Sequence, residues 1–435
     1  MKSGMKQKSK AIFITAALLL FLLPGIFAVI SGTQRAANII ADQKKGVRTI
    51  EWAKEYPFAH ADPASAGDSV LFSAYPAAVK KLTAFIDKYS GNSNRISPPF
   101  LDLYGKITSA LGKQVTDDAE SPVIRLQNGY LTFAYFFSQD SVKYPGIVSF
   151  NAWLKEKGIP FLSVLPAEKS DDRYAPDPNM FPSGYAEKEK EYIGFLESGG
   201  VQYLNARESL LAENGDFYSW FYKTDHHWNV HAGFTMAAAI AERLRTAFSL
   251  PVEPDVLDIT QFKTVTYEGL FLGSMGKKVT RGYIAPDDFE VSYPLFDTSF
   301  SIQIPTKAID RTGPFEDTLI DAEALKGGQV YANIGYGAFL HGDLPLVRVH
   351  NLSCKNGTRA LMIKNSYANV VDTYLAFTLE YLDIIDPRHF DGSIRTFIEQ
   401  THPDVVLTCI NPSKDLDAQL MDLKEPFQQP FRGGL

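Results

Sequence analysis

Three short segments with the pattern of buried strands constrain the fold of this 435-residue chain more than any other feature of its sequence. They are IPFLSVLP at 159–166, RALMIKNS at 359–366 and PDVVLTCIN at 403–411. Strands that are buried on both faces, as in parallel sheets, read as continuous apolar runs. Segments with helical spacing surround the first run, at 144–158, 184–198, 206–213 and 231–248, with a further short strand at 201–206. This alternation predicts an α/β fold built on a buried sheet.

Residues 250–345 do not follow this alternation. They are rich in Thr, Tyr, Phe, Gly and Pro and contain few stretches with helical spacing. We therefore predict a β-rich insertion over about 250–345, inside a larger domain that spans residues 120–435. After the second apolar run, the segment 373–382 (TYLAFTLEYL) is predicted to continue as a helix.

The N-terminal residues predict attachment to a membrane. Residues 11–30 carry no charge, and twenty residues of helix rise about 30 Å, which matches the hydrocarbon core of a bilayer. Four lysines lie in residues 1–10, so the positive-inside rule places this tail in the cytoplasm and the rest of the chain outside. We predict an uncleaved transmembrane anchor, and a cleaved signal peptide is the alternative. Residues 31–119 are interpreted as a helical stalk or cap.

Composition argues against some classes of partner and leaves others open. The net charge is −7, whereas a nucleic-acid-binding protein would be expected to carry a basic face. The two cysteines, Cys354 and Cys409, could pair, although isolated thiols in apolar surroundings are more often simply buried. No cofactor and no metal ion are predicted.

The segment Thr224–Asn229 (TDHHWN) carries the sharpest chemical signal, just before a predicted helix. Asp225 by itself could be an ordinary helix cap. Two adjacent histidines followed by tryptophan are harder to explain as capping residues. A turn can bring the Asp225 carboxylate to Nδ1–H of His227, which leaves Nε2 of the imidazole free to act as a base.

Ser366 is the candidate nucleophile for that base. It follows the apolar run at 359–364 and precedes a predicted helix, and ligands in open α/β sheets bind at the carboxyl ends of strands. The turn after such a strand also exposes backbone N–H groups that can stabilise an oxyanion. The competing interpretation is that Ser366 only caps the helix that follows.

Together these segments resemble the DHHW family, which is similar to the alginate O-acetyltransferase group of SGNH-hydrolase-like proteins. The segments that carry the resemblance are Gln127–Leu131, Leu165–Lys169 followed by Tyr174, Asp225 with His227 and Trp228, Ser366 with Tyr367, Asp386–Phe390, and Pro403–Val406. They cover roughly residues 120–415. One departure is Asn365, which stands where this family leads us to expect an acidic residue.

The resemblance implies an SGNH-hydrolase-like three-layer α/β/α domain and a serine-borne acyl intermediate. It implies catalysis by Ser366, His227 and Asp225, and O-acetyl transfer to an extracytoplasmic polysaccharide, with an acetylesterase as the hydrolytic variant. The acetyl donor is expected to come from a separate multi-pass membrane acyltransferase.

Four further residues are predicted to line the substrate site, namely Tyr367, Trp228, Arg388 and Lys169. Tyr367 is expected to pack beside the nucleophile. Arg388 could orient an anion or form an ordinary surface ion pair, and Lys169 could face either the site or solvent.

Two alternatives to a serine enzyme remain open. Asp225, His226 and His227 could bind a metal, although adjacent histidines rarely ligate one ion. The fold could also serve as a non-catalytic carbohydrate-binding or scaffold subunit of a polysaccharide acetylation complex.

Overall fold

The computed structural model describes residues 97–110, 112, 114, 122–133, 144–171, 173–174, 184–327, 330–332, 335–411, 417 and 419–421. The predicted cytoplasmic tail 1–10, the anchor 11–30 and most of the stalk 31–119 lie outside these residues. Within the described part of the chain, no helix is both long enough and apolar enough to cross a bilayer.

Numbered over the described residues, the helices are α1 Ser97–Ala110, α2 Pro145–Glu156, α3 Tyr185–Ser198, α4 Ala206–Glu213, α5 Val230–Phe248, α6 Ser274–Val279, α7 Phe315–Thr318, α8 Ala368–Leu375 and α9 Ile394–Thr401. The strands are β1 Val123–Arg125, β2 Leu131–Phe133, β3 Phe161–Leu165, β4 Gln202–Asn205, β5 Phe262–Phe271, β6 Asp287–Pro294, β7 Phe300–Ile304, β8 Ile309–Gly313, β9 Leu346–Asn351, β10 Arg359–Lys364, β11 Tyr381–Ile385 and β12 Val405–Cys409. Short 3-10 helices occur at Phe217–Trp220, Pro254–Leu257, Ile259–Gln261, Pro305–Lys307 and Gly335–Ala338.

The chain divides into two compact units. The first comprises Met1–Leu126 with Met275–Ala285. Its described part is held by α1, where Asp102 forms an ion pair with Arg281 and the carbonyl of Leu101 accepts a 2.9 Å hydrogen bond from Oγ1 of Thr280. The second unit comprises Gln127–Ser274 with Pro286–Leu435, and it contains every predicted site residue.

The second unit is a mixed α/β structure around an eight-stranded sheet. The strand order is β4-β3-β12-β10-β11-β9-β7-β8. The pairs from β4 to β11 are parallel, whereas β9, β7 and β8 each run antiparallel to their neighbours. The predicted α/β class with a buried sheet is therefore confirmed, and all three apolar runs are strands β3, β10 and β12 in its centre.

Helices pack against the sheet through apolar side chains. Strand residues such as Phe161 and Ile363 join α2, α3 and α9 in one buried cluster. Elsewhere α5 packs on α8, where a Cβ at Gly233 would lie 2.3 Å from Val370. The glycine therefore permits the close approach of these two helices.

The segment 250–345 is more varied than a single β-rich insertion. Strands β5 and β6 pair with each other, whereas β7 and β8 extend the central sheet from its β9 edge. Half of the strands in this segment thus belong to the main sheet.

The helix predicted over 373–382 is wrong in its second half. Helix α8 ends at Leu375, and residues 381–385 form β11, the parallel neighbour of β10. Nδ2 of Asn351, at the end of β9, donates hydrogen bonds to the carbonyls of Ala376 at 3.0 Å and Phe377 at 3.2 Å. These carbonyls follow the helix, where no intrahelical donor reaches them, so a contact from another strand satisfies the helix end.

Candidate active site

The carboxyl ends of four parallel strands meet at one edge of the sheet. Lys364 pairs with Cys409 and Ile363 with Ile385, so β10, β11 and β12 end at the same level. Cys409 pairs in turn with Val164 of β3. The segments that follow these strands are 166–169 after β3, 365–366 after β10, 386–388 after β11 and 410–411 after β12. They carry most of the polar residues singled out in the sequence, as expected for a ligand site of an open α/β sheet.

Ser366, His227 and Asp225 form a continuous chain of contacts at this edge. Nε2 of His227 lies 2.7 Å from Oγ of Ser366, although the two residues are 139 positions apart in the chain. Nδ1 of His227 lies 2.5 Å from Oδ1 of Asp225. Asp225 is 3% exposed and His227 8% exposed, whereas Ser366 is partly exposed and therefore accessible to a ligand. The helix after Ser366 receives no side-chain cap, so the capping interpretation of this serine is wrong.

The loop that carries Asp225 precedes α5 and is held from β5 and β6. The predicted helix does not open at Asp225, because Asn229 is the N-cap and its side chain accepts from the amide of Ala232. The amides of Lys223 and Thr224 donate instead to the Asp287 carboxylate at 2.9 and 2.8 Å. The Asp287 side chain therefore anchors the residues just before Asp225.

The Asp225 carboxylate is also fixed directly. The amide of Ser274 donates to its Oδ2 at 2.5 Å, and the amide of His227 donates to its Oδ1 at 3.0 Å. The backbone at Gly273 passes so close that a Cβ there would lie 2.2 Å from Cβ of Asp225. The end of β5 thus sets the position of the carboxylate.

Two rings stack on the His227 imidazole. The Tyr336 ring lies 4.0 Å from it between centroids at an interplanar angle of 12°, and the His226 ring lies 3.8 Å from it at 36°. Two rings at such distances cannot share one face, so they enclose the imidazole from both sides. This stacking limits rotation of the imidazole away from Ser366.

Electrostatics keep Asp225 ionised and His226 neutral. Burial would raise the pKa of Asp225, but the neighbouring His226 and His227 imidazoles and the hydrogen bonds from His227 outweigh it and hold that pKa well below its usual range. Burial, with the charge of His227, lowers the pKa of His226 to about 3. The two adjacent histidines therefore differ in environment, since only His227 contacts the serine hydroxyl.

Trp228 and Tyr367 are buried rather than exposed to a substrate. Trp228 is 0% exposed, and its Nε1 donates to the carbonyl of Tyr367 at 2.7 Å. Tyr367 is 3% exposed, with its hydroxyl 3.1 Å from the carbonyl of His226. The prediction that these side chains line the substrate site is therefore corrected: they hold the turn after Ser366 against the loop of His227. The Tyr367 ring also contacts the His227 imidazole, 5.3 Å away between centroids.

Lys169 is buried at 3% exposure, so the alternative that it faces solvent is wrong. Its Nζ donates to the carbonyls of Tyr222 at 2.7 Å, Lys223 at 3.3 Å and Asp225. Burial lowers the pKa of Lys169 to about 7, against the opposing effect of the Asp225 and Asp287 carboxylates. Three carbonyl acceptors use all three ammonium protons, so Lys169 braces the Asp225 loop rather than presenting a donor to a substrate.

Arg388 belongs to a partly buried ionic cluster. It pairs with Asp386 at 2.5 Å and with Asp343 at 2.8 Å, and the same carboxylates lie 3.7 and 3.2 Å from Nζ of Lys364. Burial opposes the ionised form of Asp343, but Lys364 and Arg388 hold its pKa well below the usual range. Arg388 is therefore committed to two carboxylates, and the ion-pair interpretation describes it better than an anion site.

Sequence reasoning did not identify several residues that hold the site, namely Tyr336, Gly273, Ser274, Asp287, Asp343 and Glu168. Glu168 lies in the segment Leu165–Lys169 but was given no role there, the others lie in no motif, and only their contacts in the folded chain reveal them. Asp225, His226 and His227 also bring ligand atoms within 4.8 Å of one another, so the metal alternative has a candidate set of donors. Cys354 and Cys409 do not form a disulfide, because both are free thiols.

Comparison with known proteins confirms the resemblance to this family over part of the chain. Residues 136–292 match the family model described as the SGNH hydrolase-like domain of the acetyltransferase AlgX. The match includes the Asp225–Trp228 motif and ends before Ser366. No curated protein matches the chain.

Three solved structures align with this chain over most of their length. PatB1 of Bacillus cereus, solved with a sulfonyl adduct, is 17% identical, with 71% of this chain and 96% of that chain covered at a TM-score of 0.56. A DHHW family protein from Eubacterium siraeum is 18% identical, with 71% and 97% covered at a TM-score of 0.49. The O-acetyltransferase domain of Pseudomonas putida AlgJ is 12% identical, with 69% and 99% covered at a TM-score of 0.39. The match to PatB1 shows a shared fold. The family model describes this mixed α/β structure as SGNH hydrolase-like.

Proposed function

We propose that this protein is a serine-dependent O-acetyltransferase, with acetylesterase activity when water replaces the acceptor, and that it acts on an extracytoplasmic polysaccharide. One observation carries the proposal: a single imidazole lies within hydrogen-bond reach of both a buried carboxylate and an accessible serine hydroxyl. This is the arrangement that activates a serine for acyl transfer. The mixed α/β fold of SGNH-like type and the match to an acetyltransferase family model support the same conclusion.

The chemistry follows from the positions of the three side chains. Oγ of Ser366 attacks the acetyl carbonyl carbon while Nε2 of His227 takes the hydroxyl proton. Asp225 stabilises the imidazolium, and the Ser366 amide, which has no acceptor among the described residues, is placed to donate to the oxyanion. The leaving group departs with the proton from His227. A sugar hydroxyl then gives its proton to His227 and attacks the acetyl-serine. As the bond between Oγ and the acetyl carbon breaks, His227 returns the proton to Oγ and free Ser366 is regenerated.

The test is acetylation of Ser366 in the full-length chain, purified in detergent. A chromogenic acetyl ester serves as donor, and mass spectrometry locates the acetyl group. Ser366→Ala is expected to abolish the acetyl adduct and to lower ester turnover on the order of 10³-fold or more. Ser301→Ala, in strand β7 of the same sheet, is the matched control and should keep the wild-type rate.

Three results would count against this proposal. Unchanged turnover in Ser366→Ala excludes the serine mechanism. Turnover that is lost on chelation, with stoichiometric metal in the purified protein, favours the metal alternative. Binding of polysaccharide without any acetylated serine favours the scaffold alternative.

The proposed location outside the cytoplasm rests on the N-terminal sequence. Residues 11–30 are uncharged and follow a lysine-rich tail, which predicts an anchor with the remaining chain on the outer side. The acetyl donor is proposed to reach the site from a separate membrane acyltransferase. Deleting residues 1–30 and fractionating the cells tests the anchor, because release from the membrane is expected only if this segment holds the protein there.

A further inference from the structure

Glu168, Asn411, Asn365 and Tyr367 form a closed ring of contacts beneath the candidate nucleophile. Nδ2 of Asn411 donates to Oε1 of Glu168, and Nδ2 of Asn365 donates to Oδ1 of Asn411 at 2.9 Å. Oδ1 of Asn365 accepts from the amide of Tyr367 at 3.2 Å. Oη of Tyr367 lies 3.4 Å from Oε2 of Glu168 and closes the ring. The ring joins the segments after β3, β10 and β12 and contains both neighbours of Ser366.

Counting protons in this ring assigns one to Glu168. The Tyr367 hydroxyl has a single proton and lies 3.1 Å from the carbonyl of His226, which can only accept. When that proton is donated to His226, Oη of Tyr367 can only accept from Glu168. For the 3.4 Å contact to be a hydrogen bond, Oε2 of Glu168 must then carry the proton. Oε1 keeps its lone pairs for the amide of Asn411, so the neutral acid satisfies every partner in the ring.

We propose that Glu168 is a positioning residue that acts as a neutral acid, keeping the Tyr367 hydroxyl on the His226 carbonyl and thereby holding the turn of Ser366 against the loop of His227. This inference rests on the proposed function, because it assigns Glu168 a role in acylation of Ser366. Asn365 fits the same scheme. An acidic residue at this position would lose the amide proton that Asn365 donates to Asn411.

The surroundings of Glu168 agree with the neutral form. Burial raises the pKa of Glu168 to about 7, although contacts with Tyr367 and Asn411 oppose the shift. The titratable groups that face it are Tyr367 after β10, Asp171 from its own loop and Tyr185 from α3. Asp171 raises the pKa of Glu168 further, and the described residues after β12 contribute the uncharged Asn411.

Deprotonation of Glu168 changes the ring in a specific way. A carboxylate at Oε2 attracts the single proton of the Tyr367 hydroxyl, which then leaves the carbonyl of His226. One of the two hydrogen bonds that tie the nucleophile turn to the histidine loop is then broken, and the bond from Nε1 of Trp228 to the carbonyl of Tyr367 remains. Acylation should therefore fall as pH rises through the pKa of Glu168, a loss opposite in sign to the gain that a histidine base gives.

The experiment compares Ser366 acylation in wild-type, Glu168→Gln and Glu187→Gln full-length protein across pH. Glutamine reproduces the neutral ring, because its oxygen accepts from Asn411 and its amide donates to Tyr367. Glu168 with a pKa of about 7 is about nine-tenths ionised near pH 8, so the ratio of E168Q to wild-type rates should rise about tenfold between about pH 6 and about pH 8. The exposed Glu187 of α3 is the matched control, and its variant should give a constant ratio.

Infrared spectroscopy supplies a readout that needs neither catalysis nor a stable E168Q variant. Wild-type protein near pH 6 should show the carbonyl stretch of a protonated carboxylic acid, and Tyr367→Phe should shift it toward the frequency of an acid without an acceptor. A wild-type spectrum without this band, or a band that Y367F leaves unshifted, overturns the proposal. A constant E168Q ratio with Ser366 acylated also overturns it and leaves the proposed function intact, whereas absence of acylation overturns the proposed function itself.

Discussion

The parallel and antiparallel halves of the central sheet differ in where their strands end. In the parallel half, from β4 to β11, successive strands end at one edge, and the segments after β3, β10, β11 and β12 supply Lys169, Ser366, Arg388 and Asn411. In the antiparallel half, β9, β7 and β8 alternate in direction, so the segments that follow them are divided between two edges. Strand direction therefore decides where polar side chains can accumulate.

The two halves also differ in whether their charged side chains are buried. The parallel edge buries Lys169 and Asp225 at 3% exposure each and satisfies both with backbone groups. In the antiparallel half, Lys307 lies in the turn between β7 and β8 and Asp310 lies on β8, and both are exposed. A buried charged group is expensive unless it is fully paired, so the parallel edge should respond strongly to substitutions that the antiparallel half tolerates.

The sharpest test of this contrast is a pair of aspartate-to-asparagine variants. Asp225→Asn removes the carboxylate charge and places an NH2 group among the N–H donors that face Asp225, which disfavours the Nδ1–H tautomer of His227, and acylation of Ser366 should fall on the order of 10³- to 10⁴-fold. Asp310→Asn on β8 should leave the rate unchanged. Pre-steady-state acetylation by the ester measures both variants, and equal rates in the two would break the comparison.

A pair of lysine variants compares stability. Lys169→Met removes the donor to the buried carbonyls of Tyr222 and Asp225, whereas the carbonyl of Lys223 still accepts from the amide of Leu131, and the free energy of unfolding should fall by about 2–4 kcal/mol. Lys307 donates to only one carbonyl, that of His341 at 2.9 Å, and is exposed, so Lys307→Met should change stability little. Denaturant unfolding of the full-length chain in detergent measures both. A similar loss in the two variants would show that the buried carbonyls of the Asp225 loop are satisfied in another way.

A pair of glycine variants gives the smallest expected effect and tests the role of β5. In Gly273→Ala the new Cβ would lie 2.2 Å from Cβ and 2.5 Å from Oδ2 of Asp225, so the carboxylate must move. Displacement of a catalytic group by about 1 Å can cost about 100-fold in rate. At Gly313 of β8 the nearest atom to a Cβ is 3.6 Å away, so Gly313→Ala should preserve activity. Wild-type acylation in G273A would mean that β5 does not set the position of Asp225.

Much of the fold was predictable because the signals are local. A largely apolar run such as 405–409 predicts a buried element. Helices α2, α3, α4 and α5 begin and end within one or two residues of the segments predicted from their spacing. Strand β11 was missed because residues 373–382 carry helical spacing throughout. The end of α8 depends on Asn351, a residue of another strand, and no local pattern contains that information.

The sequence predicted the residues that carry the chemistry of the candidate site, but not the residues that hold them in place. Asp225, His227 and Ser366 stand out because a short motif and a strand-to-helix turn can be recognised from the sequence alone. Trp228 was expected to contact a substrate, yet it is buried under the nucleophile turn. Tyr336 carries no signal at all, and only its stacking on the imidazole reveals it.

The sequence by itself determined that the chain forms an α/β sheet with a histidine motif and a serine at a strand end, because periodicity and residue type act over a few positions. Only the tertiary structure decided that an imidazole and a hydroxyl 139 residues apart lie at 2.7 Å, and which residues hold them there. That distance depends on the order and register of the parallel strands and on the packing of β5 and β6 behind Asp225. Such contacts are set by the folding of the whole unit, since no segment of the chain contains both partners.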